Sequence, residues 1–148
     1  MSELIKVSWP VLGASVRIAP TEKNPHVWSW FTSCLPMTSV QLHTLVAGEL
    51  LYWLNMPFTH SATFSEAEAD KDNLHDEPVG RVTLFLTAGK AGGMCIKYGE
   101  VTEDMSYPTL GQVVEEDLAV LPVVGPQVWD NLIGPKTVIL TELSLVDA

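Results

Sequence analysis

Arg81-Val82-Thr83-Leu84-Phe85-Leu86, a turn from Gly89 to Gly93, and Met94-Cys95-Ile96-Lys97-Tyr98 read as a strand that turns and comes back. Both runs are short and rich in apolar, β-branched or aromatic residues, which suits strands better than helices. Period-two alternation in the second run puts Lys97 on one face with Cys95 and puts Met94, Ile96 and Tyr98 on the other. Upstream, Leu4–Trp9 and Ala14–Ile18 flank a Pro10–Gly13 turn and read as another hairpin. Ser39–Val46 and Leu50–Asn55 read as two further strands hinged at Gly48. Downstream, the β-branched segment Thr137–Leu143 reads as the last strand.

Two helical zones interrupt the strands. Asn24 and Pro25 suit a helix start, Val27, Trp28, Trp30, Phe31 and Leu35 supply its apolar face, and Pro36 stops it. Val113–Leu121 carries Glu115, Glu116 and Asp117 early, where a helix favours acids, and Pro122 is expected to end it. Val124–Leu132, with Trp129, forms a further short helical stretch. A polar, acidic excursion at about 57–79 is too long for an ordinary connection and is expected to lie over the surface. The pattern therefore predicts a mainly β fold with two or so helices. About eight short strands, first and last in order, suggest a closed or nearly closed barrel, which would leave no edge strands. Residues 1–148 are expected to form one domain.

The 148 residues are 47% hydrophobic and 18% charged, a globular composition able to bury a core without metals or disulfides. A net charge of −10 argues against nucleic acid and against anionic lipid, since both need clustered Lys and Arg. No stretch approaches the roughly 20 apolar residues of a membrane span. The start of the chain has no apolar leader, and a cytoplasmic location is expected by elimination. Cys34 and Cys95 have apolar neighbours and no metal or redox spacing, so they are expected as buried thiols.

The residues that could carry chemistry fall in two segments. In His43-Thr44-Leu45-Val46-Ala47-Gly48-Glu49, His43 titrates near neutrality and Glu49 is a partner or an independent base. Gly48 would let the chain bend so that both meet one cavity. In Lys97-Tyr98-Gly99-Glu100-Val101-Thr102-Glu103, Lys97 is a solvated outer-face lysine, a cavity charge that binds a carboxylate, or a buried amine that loses its proton and acts as a catalytic nucleophile or base, and Glu103 could answer it across Gly99. Arg17 is a second cation that could hold a carboxylate. Trp28 and Trp30, two apart on a helix, cannot both face fully inward, so one is expected in a pocket or a homo-oligomer interface. His60, His75, Asp72 and Asp76 match no zinc spacing, and no phosphate loop, dinucleotide fingerprint or nucleophile elbow occurs. Neither a metal nor a cofactor is expected.

His43-Thr44-Leu45-Val46-Ala47-Gly48-Glu49 followed by Tyr52-Trp53 resembles the His-x-x-x-x-Gly-Glu segment of small bacterial cyclophilin-like domains. Gly92-Gly93-Met94-Cys95-Ile96-Lys97-Tyr98-Gly99 with Glu103, then Gln112-Val113 and Val124-Gly125 before Trp129, is similar to the cyclophilin-like domain of the cucumopine/mikimopine opine synthases. The resemblance spans about Leu35 to Val138. It implies a closed eight-stranded cyclophilin-like β-barrel. The Phe-His-Arg and Gln-Gly-Gly runs of true cyclophilins have no counterpart here, so prolyl isomerisation is not implied. The opine synthases join histidine to a 2-oxo acid, without a nicotinamide, by imine formation and ring closure onto the imidazole. By that resemblance Lys97 would hold a substrate carboxylate, and His43, Glu49 or Glu103 would move protons. Tyr98, Arg17 and Trp53 complete the expected substrate-binding set. The expectation is a small-molecule acid/base enzyme acting on an amino- or oxo-acid-like metabolite. The competing expectation is a module that binds a metabolite or peptide, or assembles, without reaction.

Overall fold

The computed structural model describes residues 2–87 and 90–148. The described residues contain ten strands: β1 Glu3–Trp9, β2 Ala14–Pro20, β3 Met37–Val40, β4 Leu42–His43, β5 Gly48–Trp53, β6 Lys71–Asn73, β7 Arg81–Thr87, β8 Lys90–Val101, β9 Ser106–Val113 and β10 Leu140–Asp147. Two α-helices accompany them, α1 Pro25–Ser33 and α2 Leu121–Ile133. Nine strands pair in the order β3-β10-β1-β2-β9-β7-β8-β5-β4, and β6 adds to β9 off that path. Every pairing is antiparallel.

One apolar cluster draws on β1, β2, β3, β5, β7, β8, β9 and β10 through such residues as Ile5, Val16, Met37, Trp53, Leu84, Ile96, Leu110 and Leu143. A flat sheet of that width could not bring its strands to one core, so the sheet is curled around it. Val27 and Phe31 of α1 and Leu121, Val124 and Val128 of α2 join the same core. The two ends of the strand order, β3 and β4, are separated in the chain by Gln41 alone. That side chain gathers the seam: its Oε1 accepts from Trp9 Nε1 at 2.6 Å and Thr141 Oγ1 at 3.3 Å, and its Nε2 donates to the Leu42 and Tyr52 carbonyls at 2.8 and 3.2 Å. No ladder joins β3 to β4 among the described residues, so the sheet is not closed into the expected eight-stranded barrel.

Several element boundaries differ from expectation for local reasons. Glu115–Val120 is a 3-10 turn, and Pro122 sits in the first turn of α2, where its missing N–H leaves no helical bond unmade. Lys136 adopts a positive φ of 57°, and the Asn131 side chain brackets Thr137, which delays the last strand to Leu140. β9 contains Pro108 and Gly111, residues that weaken a strand signal. Part of the expected turn, Ala88 and Gly89, lies outside the described residues. Gly92 and Gly93 lie within β8, where an added Cβ would strike the Phe85 and Trp53 carbonyls.

The acidic excursion is tied down at both ends. Trp30 packs on Phe58 and Phe64 at centroid distances of 4.8 and 5.6 Å and donates its indole N–H to the His60 carbonyl. Asp72, in β6, is buried and bonds to Lys23, to Arg81 at 2.5 Å and to Thr109 at 2.6 Å. Burial pushes its pKa up, but the hydrogen bonds from Lys23, Thr109 and Arg81 outweigh burial and hold it below the ordinary carboxylate value. No helix among the described residues is long and apolar enough to cross a membrane.

Candidate functional site

A cavity of about 340 Å³ opens between α2 and the β4–β5 hairpin, lined by His43, Thr44, Glu49, Tyr98, Pro126 and Trp129, with Leu45, Val46 and Gly48 at its margin. α2 packs against β4, β5 and β8, which carry its polar residues. The hairpin loop Thr44–Ala47 is held by Thr102, whose N–H donates to the Ala47 carbonyl at 2.8 Å and whose hydroxyl donates to the Val46 carbonyl at 2.9 Å. Leu45 and Val46 project into solvent at 72% and 80% exposure, which makes the rim apolar.

A β-bulge aims the acid. Gly48 pairs with Val101 but Leu50 pairs with Lys97, so Tyr98, Gly99 and Glu100 stand opposite Glu49 alone. Extra residues on one strand bend it and redirect its side chains. Gly48 has φ +117°, and a Cβ there would run into the Glu100 carbonyl. The Glu49 carboxylate folds across Gly99, and its Oε1 accepts the Glu100 N–H at 3.0 Å. Gly125 of α2 lies flat on the Tyr98 ring, where any larger residue would push helix and sheet apart.

His43 and Tyr98 form a pair with a defined hydrogen arrangement. His43 Nδ1 lies 2.6 Å from the Thr44 carbonyl oxygen, which can only accept, so Nδ1 carries the hydrogen. Burial lowers the His43 pKa from 6.5, against the upward pull of the Thr44 carbonyl and Glu49, so the ring is neutral at pH 7. Its Nε2 is then an acceptor, and the Tyr98 hydroxyl donates to it at 2.7 Å. Burial, with Glu49 and Asp130 adding negative potential, pushes the Tyr98 phenol up to about 12. The indole of Trp129 stands 4.9 Å from the His43 ring and forms the aromatic wall.

His43, Glu49 and Tyr98 thus meet at one cavity, and four other expected residues do not. Lys97 faces the opposite side of the sheet with Cys95. Its ammonium is buried there beneath the acidic excursion and donates to the Leu74, His75 and Glu77 carbonyls at 2.7, 3.3 and 2.7 Å. Those three bonds use all its donors. It is neither a solvated lysine nor a cavity charge. Glu103 is exposed in the β8–β9 connection. Arg17 is clamped by Asp117, with Nε to Oδ2 at 2.8 Å and Nη2 to Oδ1 at 3.0 Å. Trp53 is fully buried in the core. The sequence reading did not single out Thr44, Leu45, Val46 and Pro126, because no chemistry in these residue types marks them. Trp129 was visible in a short helical stretch and among the residues that carry the resemblance, but not as a site residue. Among the described residues no group of three or more His, Cys, Asp and Glu could hold a metal ion.

No protein-family model and no curated protein sequence matches the chain. Solved structures do match. McbB, solved in complex with tryptophan, is similar at a TM-score of 0.78 and 27% identity over 95% of this chain. The chain spans 44% of the McbB chain. The hypothetical protein AF2241 from Archaeoglobus fulgidus is similar at a TM-score of 0.57 and 13% identity, covering 97% of this chain and 93% of that one. The second likeness shows the fold alone.

Proposed function

We propose that this protein is a small-molecule acid/base enzyme that condenses the amine of an aromatic, amino-acid-derived metabolite with a carbonyl compound and closes a ring. The observation that carries the reading is the meeting of the Glu49 carboxylate with the neutral His43–Tyr98 pair against Trp129, in one cavity of ligand size. Two likenesses support it. The cucumopine/mikimopine synthases, whose cyclophilin-like domain the chain resembles, act on histidine, and McbB was solved with tryptophan. Both amino acids carry an electron-rich nitrogen heterocycle that can attack an imine carbon.

The proposed steps balance without oxidant or reductant. The amine adds to the carbonyl carbon and water leaves, giving an imine, whose nitrogen takes up a proton. A ring carbon attacks the iminium carbon and forms the new carbon–carbon bond. The proton on that ring carbon passes to Glu49 and the ring regains aromaticity. The Tyr98 oxygen, fixed by its bond to His43, holds the amine end in place, and Trp129 with the apolar rim excludes water from the imine.

The test is mass spectrometry of the purified protein incubated with arylethylamines or aromatic amino acids and with aldehydes or 2-oxo acids. A product lighter by one water than the two reactants combined is expected. Glu49→Gln should slow its formation by about 100-fold or more, the usual contribution of a general base. A product formed equally fast by Glu49→Gln would sink the assignment of the base. Binding without product would favour a non-catalytic module.

A further inference from the structure

The site can be read one level further, to the charge of its ligand, and this step rests on the proposed amine-condensing function. The hydrogens of its polar side chains are nearly all committed. His43 spends its N–H on the Thr44 carbonyl, and Tyr98 spends its O–H on His43. The Thr44 hydroxyl donates to the Gly48 carbonyl at 3.0 Å. Both His43 nitrogens are thereby used, and what the Tyr98 and Thr44 hydroxyls can still offer a ligand is lone pairs. Glu49 offers only acceptors. Among the described lining residues, the indole N–H of Trp129 is the one side-chain N–H left on the wall.

Charge points the same way. No Lys or Arg is present among the described lining residues, and the formal charge of the lining is that of Glu49. Asp130, beside Trp129, is close enough to act on Tyr98 and adds to the negative potential. The two cations that could have received a carboxylate are engaged elsewhere, Lys97 by three carbonyls across the sheet and Arg17 by Asp117. A carboxylate in this cavity would meet Glu49 with no counter-ion. An ammonium would meet the Glu49 carboxylate and the Tyr98 oxygen, with the Trp129 ring as a further partner for a cation.

We propose that the cavity selects an arylalkylamine, a cation that lacks a carboxylate, over the corresponding aromatic amino acid. The discrimination comes from repulsion as much as attraction, since the acid that binds the ammonium also rejects the carboxylate. In this respect the site would differ from one occupied by tryptophan itself.

Three indoles whose side chains carry an ammonium, both an ammonium and a carboxylate, or a carboxylate alone test this by calorimetric titration of the wild-type protein: tryptamine, tryptophan and 3-(indol-3-yl)propionate. Tryptamine should bind about tenfold or more tightly than tryptophan, because the carboxylate of tryptophan would be set against the like charge of Glu49. The propionate should not bind measurably. Glu49→Gln, checked for folding by circular dichroism, should narrow the gap between tryptamine and tryptophan. Tryptophan binding as tightly as tryptamine, or the propionate binding at all comparably, overturns the charge selection. That comparison needs only the wild-type protein and so survives a variant that fails to fold. Condensation of tryptophan but not tryptamine would overturn this inference and leave the proposed reaction standing. Binding of none of the three would overturn both.

Discussion

His43 carries a stability signature of its neutral state. Burial lowers its pKa below 6.5, so in the interval between the folded value and 6.5 the unfolded chain binds a proton that the folded chain refuses. Stability therefore falls as pH drops below about 6.5 and this contribution levels off under the folded pKa. Urea unfolding at pH 7.5 and 5.5 should show that loss in the wild type and a smaller one in His43→Gln. An equal loss in both would mean that His43 is not the group responsible. At this scale the sequence was legible where chemistry and spacing coincide: His43, Gly48 and Glu49 lie in one short segment and reach one cavity. Lys97 shows the limit. Alternation placed it correctly with Cys95, but its partners are backbone carbonyls of a distant segment, and carbonyls are common to every residue type.

The β5–β8 pairing with its bulge is the element that positions the acid. Gly99 leaves the space that the Glu49 carboxylate fills, and an added Cβ would sit 2.5 Å from Glu49 Oε1. The end of an exposed glutamate can swing aside, so Gly99→Ala should fold nearly normally while displacing the carboxylate. Its melting temperature should stay close to wild type, while amine binding or turnover falls about tenfold or more. Unchanged function would show that the folded-over position of Glu49 is not the working one. Helix α2 marks what element-level reading missed. Pro122 is expected as a stop, whereas it sits in the first turn of the helix, so Leu121 is assigned to the preceding zone and parted from Val124–Leu132, with which it forms one helix. A proline signals a boundary without stating on which side the helix lies.

Over the whole molecule, Asp72 joins parts of the chain that pattern reading treated separately. Lys23 precedes α1, Arg81 opens β7, Thr109 lies in β9, and all converge on a carboxylate of the acidic excursion. Asp72→Asn would leave two cations facing an uncharged amide, and since Lys23 is 44% exposed and Arg81 keeps Glu77, the loss should be about 1–3 kcal/mol. Chemical denaturation should register that loss, and a change under about 1 kcal/mol would mean that the excursion is not anchored there. The strand-rich class and most hairpins were legible because alternation and turn residues are local signals. The order of strands was not, because it depends on which apolar faces share a core. β6 and β9 were hidden by charge in one and by Pro108 and Gly111 in the other.

The one-residue join at Gln41 has a consequence for the order of assembly. Two neighbouring strands sit at opposite ends of the sheet, and β3 finds its ladder partner in β10, where Val40 meets Leu140. Loop closure over that separation must be met before the pairing returns any stabilisation. The β4–β5 and β7–β8 hairpins are local and can form early, while the seam that brings Trp9, Thr141 and Tyr52 to one amide waits for the last strand to arrive. Until then the core faces of β1 and β3 stay open, and the chain is most exposed to pairing with the wrong edge.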